Sequence, residues 1–111
     1  MKRHGPERLL AGLFLMLLVG APLASAELSA QRRHELDNLL LQDCGSCHGM
    51  TLKGGLGPAL TPQALRGKPD ELLFNTILHG REGTPMPPWG KLLTPEEVRW
   101  LVQRLRRGGE R

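Results

Sequence analysis

The residues best suited to chemistry sit in five consecutive positions, Cys44-Gly45-Ser46-Cys47-His48. Two thiols separated by two small residues, with an imidazole directly after, form the C-x-x-C-H pattern of covalent haem attachment. The spacing has a physical reason. One helical turn presents both sulfurs to neighbouring vinyl groups on one porphyrin edge, while the next side chain reaches under the ring to the iron. Cys44 and Cys47 are therefore the expected attachment residues for one haem c, and His48 an expected iron ligand. Two other chemistries use the same residue types. A dithiol redox pair needs a βαβ setting, and no strand pattern is visible; a zinc site needs further ligands, for which His34 and His79 are the candidates.

The opposite face of the iron asks for a neutral ligand from the second half of the chain, where Met86 and His79 are the choices; Met50, two residues past His48, belongs to the His48 side. Met86 lies in Thr84-Pro85-Met86-Pro87-Pro88-Trp89, whose prolines stiffen the backbone around it. Its alternative is to pack as an ordinary core methionine. A methionine in a proline-locked loop between helices has little core to fill, so Met86 is the expected second ligand. A thioether there raises the reduction potential relative to two histidines. His79, just before Gly80, reads as a solvent-facing cation at a helix C-terminus.

The surrounding pattern is helical throughout. Ser29 is an N-cap for a helix over 29–43, with Leu36, Leu39 and Leu40 at helical spacing, leading straight into Cys44. Residues 49–60 hold four glycines and a proline and read as loop. Thr61-Pro62 opens a short helix over 61–66 that stops at Gly67. Pro69-Asp70-Glu71 starts another, with an apolar face of Leu72, Leu73, Phe74, Ile77 and Leu78, before Gly80 ends it. The prolines of the segment 80–93 rule out regular helix. Thr94-Pro95-Glu96-Glu97 is a capping box, and Val98, Leu101, Val102 and Leu105 form one stripe of the last helix, ended by Gly108 and Gly109. The fold class expected is all-α, three to four helices around one covalently bound haem.

The first 26 residues read as a cleaved secretory leader. Lys2, Arg3 and Arg8 give a positive region, Leu9 to Val19 an apolar run too short to span a bilayer, and Ala24-Ser25-Ala26 a cleavage site. The competing reading is an uncleaved anchor. Residues 27–111 would then form one monohaem domain of 85 residues in the periplasm, without stable membrane insertion. The leader holds three cations and one anion, so the chain's formal charge of +4 falls to +2 without it. That balance argues against nucleic acid binding, which needs a clustered basic face. The one basic cluster, Arg104, Arg106, Arg107 and Arg111, reads as a solvated helix end complementing the helix dipole. So small a domain has a marginal core. With only Phe74, Trp89 and Trp100 as aromatics after the leader, a large flat cofactor would supply the missing volume. A disulfide between the two cysteines would close too small a loop to help.

Together, the N-terminal helix, C-x-x-C-H, Gly-rich loop, and Met86 ahead of a C-terminal helix resemble the class I cytochromes c. The resemblance implies that the carbonyl of Pro58, in Gly57-Pro58-Ala59-Leu60, accepts the other N–H of the axial imidazole. It also pairs Leu40 with Trp100 where the first and last helices cross. The stretches 48–62 and 83–89 are similar to the cytochrome c55X family of denitrifying bacteria. That similarity implies passage of single electrons to a haem c/haem d1 nitrite reductase or to proteins that mature its haem d1.

Filled axial positions point to outer-sphere electron transfer by a non-enzyme, expected to be a monomer. Its haem edge would be exposed among Leu52, Leu56, Pro85, Pro87 and Trp89, with Lys53, Arg81 and Lys91 available to steer an acidic redox partner. The rivals are a haem enzyme or sensor with an open or displaceable sixth site, and a haem-binding assembly factor. A peroxidase-like site would want a distal His and Arg pair, which the sequence does not supply.

Overall fold

The structure, a computed structural model, describes residues 26–108 together with Met1 and Gly20. The expected leader over 1–26 falls outside the described residues except at Ala26, Met1 and Gly20, as do Gly109 and Arg111. All regular elements among the described residues are helical: α1 (Ala30–Leu39), a π turn (Leu40–Cys44), α2 (Gly45–His48), α3 (Pro62–Leu65), α4 (Asp70–His79), a 3-10 turn (Trp89–Lys91) and α5 (Pro95–Arg107). None of these helices is long and apolar enough to cross a membrane.

The helix starts follow their caps. The Ser29 hydroxyl accepts the Arg32 N–H at 3.1 Å, and Thr61 accepts that of Ala64 at 3.2 Å. At α5 the capping box is complete: Thr94 Oγ1 accepts the Glu97 N–H at 3.2 Å, and Glu97 Oε2 accepts the Thr94 N–H at 2.8 Å. Each such cap is worth about 1 kcal/mol.

Two local features depart from expectation. The segment expected to be irregular over 80–93 contains the 3-10 turn, seated so closely on α4 that a Cβ on Gly90 would stand 2.8 Å from the Leu78 carbonyl oxygen. The first helix, expected to run unbroken into Cys44, widens instead, with the Gly45 N–H donating to the Leu40 carbonyl five residues back. Leu36, Leu40, Cys44 and His48 fall four residues apart. In an unbroken α-helix each four-residue step overshoots a full turn by about 40°, so three steps carry His48 well away from the leucine face. A π turn holds more residues, so its step falls short and cancels part of that drift.

The core is one cluster of Leu36, Leu40, Leu65, Leu93, Val98, Leu101 and Leu105, with Val102 also fully buried. Each such side chain contributes about 1.5–3 kcal/mol on burial. Leu40 lies inside this cluster, whereas Trp100 is half-buried and packs on it from outside. Two ion pairs tie α1 to α5: Arg32 Nε to Glu97 Oε1 at 2.5 Å and Arg104 Nε to Asp37 Oδ1 at 2.6 Å.

The solvated reading of the basic end of α5 is corrected for Arg104 and Arg106, while Arg107 is exposed as expected. Arg104 is only 8% exposed and also donates to the Gly108 carbonyl. Arg106 donates to Asp70 Oδ1 at 2.9 Å, to the Leu65 carbonyl at 2.7 Å and to the Lys68 carbonyl, fastening α5 to the α3–α4 connection. Long guanidinium arms reach back from a helix end to carboxylates and carbonyls that sequence proximity does not reveal.

Candidate functional site

Cys44, Cys47 and His48 come together on the π turn and α2, Cys44 half-buried and Cys47 exposed. Burial pushes the Cys44 thiol up to about 11, and the Asp43 carboxylate beside it adds to the rise. A thiol held so firmly protonated is a poor redox nucleophile, which counts against the dithiol reading. The zinc reading fails on geometry, because no group of three or more His, Cys, Asp or Glu side chains among the described residues could hold a metal ion.

Helix α2 ends after four residues, and the Gly-rich loop returns to satisfy its last carbonyls. The Gly57 N–H donates to the Cys47 carbonyl and the Gly54 N–H to that of His48, each at 2.8 Å. Leu52 takes a left-handed φ of 58° within this fold-back, and its carbonyl accepts the Leu60 N–H at 2.8 Å. The loop thereby delivers the Pro58 carbonyl oxygen to His48 Nδ1 at 2.7 Å. A carbonyl can only accept, so Nδ1 carries the proton and the lone pair belongs to Nε2, the tautomer a metal-ligating imidazole needs. Sequence resemblance anticipated this bond. It did not reveal why residue 57 is glycine: a Cβ there would stand 2.8 Å from both Nδ1 and Cε1 of His48.

Met86 arrives from a different part of the chain, half-buried on the loop between α4 and α5. The Arg81 N–H donates to its carbonyl at 3.1 Å, and the loop closes against Gly80. His79, the other ligand candidate, is exposed at the end of α4.

A large flat apolar group fits these surroundings. α4 has a strongly apolar face, yet none of its residues is fully covered by the rest of the chain. Leu73, Phe74, Ile77 and Leu78, with Leu52, Leu60 and Trp89, are half-buried around the core. A tautomer-fixed imidazole next to two cysteines suits haem iron and its vinyl edge.

Comparison with known proteins bears on the same residues. Residues 20–103 match the family model described as cytochrome C oxidase, cbb3-type, subunit III. A cytochrome c55X of Pseudomonas aeruginosa is 57% identical over 99 residues, covering 86% of this chain and 83% of that protein. The solved structure of the c-type cytochrome NirC superposes with a TM-score of 0.72 at 61% identity, covering 74% of this chain and 96% of that one. Dihydro-haem d1 dehydrogenase NirN, solved in complex with DHE, superposes with a TM-score of 0.62 at 33% identity, over 68% of this chain and 16% of that larger protein.

Proposed function

The chain belongs to the cytochrome c55X family of c-type cytochromes and is an electron-transfer protein with covalently bound haem c, and on that premise we propose that it serves haem d1 chemistry in denitrification. It delivers single electrons to a haem c/haem d1 nitrite reductase or to the proteins that mature haem d1. The likeness to a dihydro-haem d1 dehydrogenase supports this setting.

In this reading Cys44 and Cys47 would hold the haem through thioethers, and His48 and Met86 would bind its iron. The haem supplies a one-electron iron couple. Pro58 fixes the tautomer and orientation of His48, the α4 face and Trp89 exclude water, and Met86 closes the position a substrate would need. The observation that carries the assignment is the 2.7 Å bond from His48 Nδ1 to Pro58, which commits one ring nitrogen and frees the other for iron. Residues 1–26 are an export leader, removed after Ala26, and the mature domain works in the periplasm. Mass spectrometry finding an N-terminus at Glu27 is the expected outcome for the leader; an intact Met1 would refute cleavage.

The role is tested by stopped-flow mixing of the reduced protein with oxidised nitrite reductase. Oxidation faster than that of an unrelated cytochrome of similar potential is expected, and equal rates would remove the reductase as partner.

A further inference from the structure

The α4–α5 loop contains a device that core packing does not explain. In Pro85-Met86-Pro87-Pro88 the only backbone N–H belongs to Met86. Its partner is the Thr84 hydroxyl, at 3.4 Å, and the same hydroxyl donates to the Arg81 carbonyl at 2.7 Å. The Thr84 N–H also reaches that carbonyl, and the Arg81 N–H returns to the Met86 carbonyl, both at 3.1 Å. A closed ring of hydrogen bonds thus runs from Arg81 through Thr84 to Met86 and back. Its neck is Gly80, whose φ of 70° and ψ of −171° belong to a region open essentially to glycine alone. A Cβ there would stand 2.7 Å from the Met86 carbonyl oxygen. Met86 is only half-buried and the prolines on either side of it are exposed, so contacts with the core do little to fix its position.

We propose that Gly80 and Thr84 are the positioning residues of Met86, closing a backbone clamp that sets how firmly its thioether holds the sixth iron position. This rests on the reading of Met86 as axial ligand. The clamp holds the loop in the ligating conformation before the bond to iron forms, so that little ordering remains to be done when it does.

The test uses the haem-loaded ferric protein, read by its weak far-red thioether–iron absorbance and by titration with imidazole as a competing ligand. Thr84→Val removes both hydroxyl bonds at nearly constant shape and is expected to raise the apparent imidazole affinity about tenfold, the order of one net hydrogen bond. Thr84→Ser is expected to restore it to within about twofold. Gly80→Ala is expected to weaken the far-red absorbance at least as much as Thr84→Val. Should Gly80→Ala not fold, the Val and Ser pair carries the test alone. A wild-type protein without the far-red absorbance overturns the ligand reading and the clamp with it. An absorbance and affinity that Thr84→Val leaves unchanged, or that Thr84→Ser fails to restore, overturn the clamp only.

Discussion

His48 Nδ1 donates to the carbonyl oxygen of Pro58 across 2.7 Å, and Gly57 keeps the space beside the ring that makes this approach possible. On the proposed ligation, the bond pushes electron density onto the imidazole and favours ferric iron. Gly57→Ala drives a Cβ against the ring and weakens the bond, so the reduction potential rises by about 20–60 mV, the equivalent of one net hydrogen bond in a one-electron couple. Pro58→Ala keeps the carbonyl and leaves the potential nearly unchanged, at a stability cost of about 0.4–1 kcal/mol. Spectroelectrochemical titration separates the two; equal potentials for both variants would contradict the assignment.

Covalent attachment makes a simpler prediction. Extraction with acidified organic solvent leaves the haem on the wild-type chain and on each single Cys→Ala variant, but removes it from the Cys44→Ala/Cys47→Ala double variant. Release from the wild-type chain would disprove attachment through these thiols.

Acid stability turns on Glu97, which is 7% exposed. The Arg32 guanidinium donating to its carboxylate holds it below the usual carboxylate range, helped by the Thr94 backbone N–H. A carboxyl with a lowered folded pKa stabilises the fold fully above its unfolded value, about 4.3, and loses that contribution as pH falls through the folded value. Thermal melts should therefore show wild type most above Glu97→Gln near neutral pH, the gap closing below about pH 4. A gap that does not change with pH would rule this out.

The pair of Arg104 and Asp37 should be asymmetric to substitution. Asp37→Ala leaves a buried guanidinium without its counter-charge and costs about 2 kcal/mol, whereas Arg104→Met leaves a half-buried carboxylate that water can reach and costs about 1 kcal/mol. For a domain of this size the difference appears as several degrees in Tm, and the opposite order would argue against a charge-burial origin.

Most of the helical frame is legible in the sequence because caps are local. Ser29, Thr61 and Thr94 act within three residues of themselves, and the stripe Val98, Leu101, Val102, Leu105 is buried as its spacing implies. The Cys44–His48 cluster is legible for the same reason. What escapes is whatever depends on distant partners. Nothing in residues 28–33 says that Arg32 will meet Glu97, and a run of arginines at a helix end looks solvated until Asp37, Asp70 and the α3–α4 carbonyls are brought to it. The role of Gly57 is hidden too, since glycine in a Gly-rich loop reads as flexibility when here it is clearance for an imidazole.

The π turn at Leu40–Cys44 has a consequence for how this chain can change length. Because a π turn closes over five residues where an α turn closes over four, losing one residue there would tighten the segment to α geometry and leave every later side chain close to its present direction. A single-residue deletion can therefore be absorbed in this stretch, whereas the same deletion within α1 would turn the residues on either side of it by about 100° relative to one another. The link from the first helix to the thiols thus carries one residue of slack, stored in the π turn.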